Sequence, residues 1–370
     1  MERMTNHERL MAVYKKQLPD IFPVGIYAKM LARGSYERMI RSMGLGLIDY
    51  HPITSMLGPA CRMDSASVSE IKGADLSVRH AWENGEHLEI RMYETPVGVV
   101  SQHVKKDPMY GSDWVVKDYI ERPEDYKVVQ YLVEKSIIKN NNKGLLQKIK
   151  DMGKDGVVLG RVDRSPFQKL LVELANPQMF LMDILMDVKE ARELIEAMIL
   201  KWEEMFEIMG QSSAQVIWQP ENLSGDLTSP DLFKKYCMPI YNKLVTSFDR
   251  QEKPFWVHAD GRMKSLLGDV AKCPFDGCES YSYPEMGNDI TFIQARQAWP
   301  DKVIVPNFPA SLSYESRDTI VAFLTEKLCE AGTDKPYFIQ FSENLPPELL
   351  AKTILVTLET MNEKAVSKSC

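Results

Sequence analysis

The stretch Pro254–Tyr281, PFWVHADGRMKSLLGDVAKCPFDGCESY, holds one complete structural unit. It opens on a short uncharged apolar run, PFWV, and turns polar at His258-Ala259-Asp260-Gly261. A helical stretch follows, and the unit closes on a second largely apolar run, GCESY. Short runs of this kind are what strands buried on both faces look like, and such strands belong to parallel sheets with helical crossovers. The alternation recurs on both sides. Val157–Gly160 (VVLG), Ala214–Trp218 (AQVIW), Val303–Pro306 (VIVP) and Tyr337–Phe341 (YFIQF) are further runs. Helical periodicity fills Ala191–Met209, Asp231–Asp249 and Arg317–Ala331, and Ser229-Pro230 supplies an N-cap and an N1 proline for the second of these. Six such units, with Phe22–Tyr27 and a strand near Ile48–His51, make eight. This predicts an α/β fold, a single (β/α)₈ barrel spanning residues 1–370 as one domain. An open doubly wound sheet is the alternative, but no GxGxxG or phosphate-binding loop supports it.

One segment departs from this pattern. Val68–Val104 alternates apolar and polar residues and carries Asn84-Gly85, a hairpin signal. It predicts an antiparallel β excursion inserted after the second barrel strand, long enough to fold over the barrel mouth. Lys139–Lys154 is the most polar run and reads as a surface connection leading into a helix.

Composition excludes several classes. The chain has 370 residues and a formal charge of −7, which argues against a nucleic-acid binder. Its 44% hydrophobic and 26% charged residues exclude a largely disordered chain. No apolar stretch is long enough to span a membrane. The first twenty residues lack a continuous apolar core, so they do not read as a secretory signal, and a cytoplasmic location is expected. The six cysteines are dispersed without a CxxC or CxxH pair and read as free thiols. The 21 methionines read mostly as core filler.

Active sites of such barrels sit at the C-terminal ends of the strands. The groups found there are Arg161, Asp163 and Arg164; Glu221 and Asn222; His258 and Asp260; Glu279, Tyr281 and Tyr283; Asn307; and Ser342, Glu343 and Asn344. His258-Ala259-Asp260 is the sharpest feature, because residues i and i+2 at a strand end point the same way. The pair can ligate one metal, most plausibly zinc, or work as an acid–base pair, or serve as hydrogen-bonded structure. Glu343 and Glu221 are possible third ligands, and Glu221 equally suits a proton acceptor or a turn. Trp218, Trp256, Tyr281, Tyr283, Phe308 and Phe341 lie near strand ends. They read either as barrel packing or as a pocket for a flat substrate. His80 and His87 fall in the excursion and are expected to be exposed.

With these residues in view, the chain resembles the uroporphyrinogen decarboxylase superfamily over nearly its whole length. The resemblance is carried by PVGIY (23–27), SPFQKLLVELANPQMFLMDILMDVKEARELIEAM (165–198), LTSPDLFKKYCMPIYNKL (227–244), VHADGRMKSLLGDVAKCPFDG (257–277), VIVPNFPASL (303–312) and YFIQFSENLPPELL (337–350). It implies a (β/α)₈ barrel and one of two activities: decarboxylation of uroporphyrinogen, or methyl transfer to or from a corrinoid on a partner protein. The decarboxylases carry an arginine-rich motif of the form RQAGRYLPEY. The equivalent stretch here, FPVGIYAKMLARGSYE (22–37), lacks it, and gripping many carboxylates without that cluster is hard.

The methyltransferases of this superfamily hold zinc with an HxC motif and a later cysteine. His258 stands in place of that histidine, Asp260 in place of the first cysteine, and Glu343 near the second. The resemblance therefore implies a zinc held by His258, Asp260 and Glu343, a harder Lewis acid able to polarise an ether oxygen. HADG, SYPEMGND, NFP and SENLPPE resemble the O-demethylase branch. On that resemblance the chain is a methyltransferase that demethylates a methyl ether, in the first instance a methoxylated aromatic, and passes the methyl group to Co(I). His258, Glu221 and Tyr281 are its catalytic candidates. Trp218, Trp256, Tyr283, Asn307, Phe308, Phe341 and Arg161 are its substrate contacts. A decarboxylase, or a methyltransferase for a methylamine, thiol or methanol, is the alternative.

Overall fold

The computed structural model describes residues 3–31, 34–57, 69–106 and 113–367. Fourteen strands are present in them. Eight form one parallel sheet: β1 (Val24–Tyr27), β2 (Leu45–Pro52), β9 (Gly156–Arg161), β10 (Ile217–Gln219), β11 (Phe255–His258), β12 (Gly277–Tyr281), β13 (Val303–Pro306) and β14 (Ile339–Phe341). The spatial order is β13-β12-β11-β10-β9-β2-β1-β14. A parallel bridge between Asn307 and Gln340 joins the two ends, so the sheet closes into a (β/α)₈ barrel. All eight expected strands are found, and the three expected helices correspond to Lys189–Gln211, Pro230–Leu244 and Arg317–Ala331. The second stops at Leu244, short of the expected Asp249, and Ser229 caps it by accepting from the Leu232 amide.

Alternation decides which side chains face inward. Ile48, Tyr50, Val157, Leu159, Val216, Trp218, Trp256, Val303, Val305 and Phe338 form one interior cluster. Their neighbours in sequence, among them Leu47, Val158, Ile217, Val257 and Ile339, join a second core between the sheet and the helices. The barrel floor is plugged by helix Asn6–Tyr14, started by a reciprocal Thr5–Glu8 capping box. Tyr14 packs edge-on against Trp256 at 4.8 Å between ring centroids, and the Trp256 indole donates to the Tyr14 carbonyl. Trp256 is therefore floor and not mouth.

The excursion is a four-stranded antiparallel sheet, β4 (Asp75–Glu83), β5 (Glu86–Thr95), β6 (Gly98–Lys105) and β7 (Trp114–Lys117). It is preceded by β3 (Ser69–Ile71), which pairs with β8 (Ser136–Ile138). Its expected first residue, Val68, lies outside the described residues. Asn84 and Gly85 both have positive φ (54° and 81°), as a two-residue I′ hairpin requires. The sheet is anchored through Gln102, whose amide donates to the Glu173 carbonyl, and through packing of Val100 and Tyr93 beside helix Asp125–Lys135. Because an L side chain in this region of φ costs roughly 1–2 kcal/mol, Gly85→Ala is expected to speed amide exchange in β4 and β5 several-fold. Exchange in the barrel strands should be unaffected.

No described helix is long and apolar enough to cross a membrane. Cys237, Cys273 and Cys278 are buried free thiols, while Cys61 and Cys370 lie outside the described residues.

Candidate active site

Register builds the site. His258, the last residue of β11, pairs with Glu279 of β12, so both side chains point into the barrel at its C-terminal end. His258 Nδ1 lies 2.5 Å from Glu279 Oε1. Glu279 is fully buried and also accepts from the Tyr27 hydroxyl at 3.0 Å and the Trp218 indole at 2.8 Å. Tyr50 stacks on Trp218 at 5.2 Å, and Trp218 meets His258 edge-on. The other ring nitrogen, Nε2, lies 3.3 Å from Asp260 Oδ2, as the i, i+2 spacing predicts. A carboxylate on Nδ1 fixes the ring orientation and aims Nε2 at the mouth.

The charges follow from this geometry. Burial alone would lower the His258 pKa, but Glu279 and Asp260 override it and push it up to about 10. Burial would raise the Asp260 carboxyl, and the His258 charge and hydrogen bond pull it below its ordinary range instead. Burial and the Asp260 charge push Glu343 up, against hydrogen bonds from Asn307 and the Ala310 amide. Asn307 in turn accepts from the Ser342 amide and so pins the start of that loop.

Whether these residues fit a zinc is decided by their spacing. Ligands about 2.0–2.1 Å from a four-coordinate zinc stand roughly 3.3 Å apart, which is the His258 Nε2–Asp260 separation. The Asp260 charge that helps push Glu343 up would also favour a cation beside these carboxylates. Even so, no group of three or more His, Cys, Asp or Glu side chains poised to hold a metal occurs among the described residues. His258 and Asp260 fit as ligands; Glu343 or water has to complete the set.

The other candidates lie elsewhere. Glu221 is fully buried and accepts from the Ser165 amide, the Ser165 hydroxyl and the Tyr241 hydroxyl. Burial raises its pKa against those three hydrogen bonds. It braces the loops after β9 and β10 and is not brought to His258. Tyr281 would face inward by alternation from Gly277 and Glu279. A bulge intervenes at Ser280, whose φ is 61°, and the register shifts between Cys278 and Tyr281. Tyr281 therefore turns outward and donates to the Ile290 carbonyl. Tyr283 follows it, with its ring against Phe323 and its hydroxyl on Tyr337. Phe308 and Phe341 stack on each other in the same outer core. Of the aromatic residues expected to line a pocket, only Trp218 reaches His258.

Three contributors were not expected in these roles: Glu279, Tyr27 and Asn222. Asn222 has a φ of 51°, which asparagine tolerates. Its amide nitrogen donates to Asp260 at 3.0 Å and its oxygen accepts from Arg164 at 2.7 Å. Arg164 also donates to Glu173 at 2.8 Å, and Lys169 spans Asp163 and Glu173. Arg161 approaches the same Glu173 oxygen at 3.9 Å. Arg161 at the end of β9 and Arg164 just after it thus face a buried acid. A continuous polar chain runs from Glu173 through Arg164, Asn222 and Asp260 to His258 and Glu279.

The profile of the uroporphyrinogen decarboxylase (URO-D) family matches residues 138–363, which include β9 to β14 and every site residue named above except Tyr27 and Tyr50. The chain belongs to the uroporphyrinogen decarboxylase family. Members of this family's superfamily are enzymes, decarboxylases and methyltransferases among them. Within the family fold, the His258–Glu279–Asp260 cluster occupies the catalytic end of the barrel. A structure from Listeria monocytogenes described as a "Putative Vitamin-B12 Independent Methionine Synthase" is similar over 59% of this chain and 69% of its own. The identity is 12% and the TM-score 0.38, too distant to carry any argument about function. No curated protein matches the chain.

Proposed function

We propose that this member of the URO-D family is a corrinoid-dependent methyltransferase that demethylates a methyl ether, with a methoxylated arene as the substrate class. The methyl group goes to the Co(I) corrinoid of a partner protein. The observation that carries the reading is the charge arrangement at the mouth. Arg161 and Arg164 are directed at the buried Glu173, whereas a decarboxylase of polycarboxylates needs guanidinium groups directed at substrate. Among the described residues, an imidazole edge with a carboxylate beside it faces the mouth.

An ether oxygen is a poor leaving group and departs only with a proton or a metal on it. His258 Nε2 and Asp260, with Glu343, would hold a zinc, which supplies Lewis acidity toward that oxygen. Glu279 holds the His258 ring through Nδ1, and Asn222 orients Asp260. Tyr27 and Trp218 donate to Glu279 and keep its carboxylate fixed. Trp218 and Tyr50 pack inside the barrel behind the imidazole, so the floor beneath the His258 edge is apolar and aromatic.

The test is phenol release from a panel of methoxyarenes, with and without reduced corrinoid protein, alongside carbon dioxide release from carboxylated substrates. Phenol formed only with corrinoid supports the reading. Turnover without corrinoid, or carbon dioxide release, contradicts it.

A further inference from the structure

Far from this site, the hairpin of β4 and β5 brings two imidazoles together. Trp82 pairs with His87 across the strands and His80 pairs with Glu89, so all four share one face. His80 Nδ1 and His87 Nε2 stand 3.1 Å apart, and Trp82, 76% exposed, stacks on the His87 ring at 5.2 Å. Glu89 beside them is engaged by Arg91 and Lys106.

We infer that His80 and His87 form a surface site for one divalent transition ion of the copper, nickel or zinc class. Two nitrogens bound to one such ion at about 2.0–2.1 Å lie about 2.9–3.4 Å apart, and the pair already stands within that range. Imidazole is a ligand these ions share. Both histidines sit on a hairpin whose turn fixes the register, so little reorganisation is needed to bind. The protein supplies two ligands, and water completes the coordination. The Trp82 ring holds His87 in place and lies close enough to report on the ion.

The site also bears on how metal content is read. A bound ion in purified protein belongs either to this hairpin or to the barrel mouth, and the variants separate the two.

The test is titration of metal-stripped full-length protein with Cu²⁺ against a competing chelator, followed by tryptophan fluorescence and by visible absorbance. Wild type is expected to take up one saturable equivalent at the hairpin that quenches Trp82, separate from any ion bound at the barrel mouth. His80→Ala and His87→Ala are each expected to bind at least tenfold more weakly, while His258→Ala keeps this equivalent. Trp82→Phe should keep the absorbance change and lose most of the quenching, which checks binding without altering a ligand. Affinity unchanged in both hairpin variants, the quenching equivalent lost in His258→Ala, or no saturable equivalent in wild type would each overturn the inference.

Discussion

His258→Ala is expected to lower methyl transfer from ether to corrinoid by about a thousandfold, the scale on which removal of a general acid or a metal ligand acts. The loss should fall on kcat more than on KM, because the imidazole edge meets the leaving oxygen and contributes little to gripping the arene. Glu279→Gln should cost less, about 10–100-fold, since an outer carboxylate orients a ligand and does not touch substrate. The order of the two variants carries the information. Glu279 touches His258, Tyr27 and Trp218 and lies fully buried. A purely structural role would therefore appear as lost stability with kcat intact in the folded fraction. Activity of His258→Ala within threefold of wild type, at unchanged circular dichroism, would remove the site from the account.

Glu173→Ala is expected to cost roughly 3–5 kcal/mol of stability, the range for removing one partner of a buried ion cluster. Glu173 is 4% exposed and holds both Arg164 and Lys169, which are at least as buried. Without it three buried cations, Arg161, Arg164 and Lys169, lose their shared acid, and Asp163 is left to pair with Lys169. The same residue predicts acid sensitivity. Burial pushes its carboxyl up, but the Lys169, Arg164 and Arg161 charges pull it far below the usual carboxylate range. A carboxyl whose folded pKa is depressed contributes stability above its unfolded value, and loses it as pH falls toward the folded one. Urea midpoints should therefore hold near neutrality and fall below about pH 4.5, with a shallower acid dependence in Glu173→Ala. An unchanged midpoint in the variant would show that the cluster adds nothing.

The barrel was legible in the sequence because burial on both faces leaves a simple mark, a short apolar run with polar residues at its end. PFWV-HAD and VVLG-RVD show it plainly. The hairpin was legible for a different reason, since Asn84-Gly85 is a turn of defined φ. His258 and Asp260 were legible because i, i+2 spacing at a strand end is local. Glu279 as the partner of His258 was not, although it stood among the strand-end groups. Its role depends on the register between two strands and on Tyr27, 252 residues away. Tyr281 is turned away from His258 through one residue: the bulge at Ser280 reverses the alternation that would have turned it inward. The placement of the other aromatics was not legible, because sequence gives proximity to a strand end without saying which side of the sheet a ring takes. Trp256, Tyr283, Phe308 and Phe341 took the floor or the outer core.

The most direct measurement is the absorbance of Co(I) corrinoid protein mixed anaerobically with this enzyme and a methoxyarene in a single turnover. The account predicts that the Co(I) band disappears and a methyl–Co(III) band replaces it, with one phenol released per cobalt, and that His258→Ala leaves the Co(I) spectrum unchanged over the same time. A Co(I) band that persists with wild type across the methoxyarene panel, while the protein releases carbon dioxide from a carboxylated substrate, would contradict it.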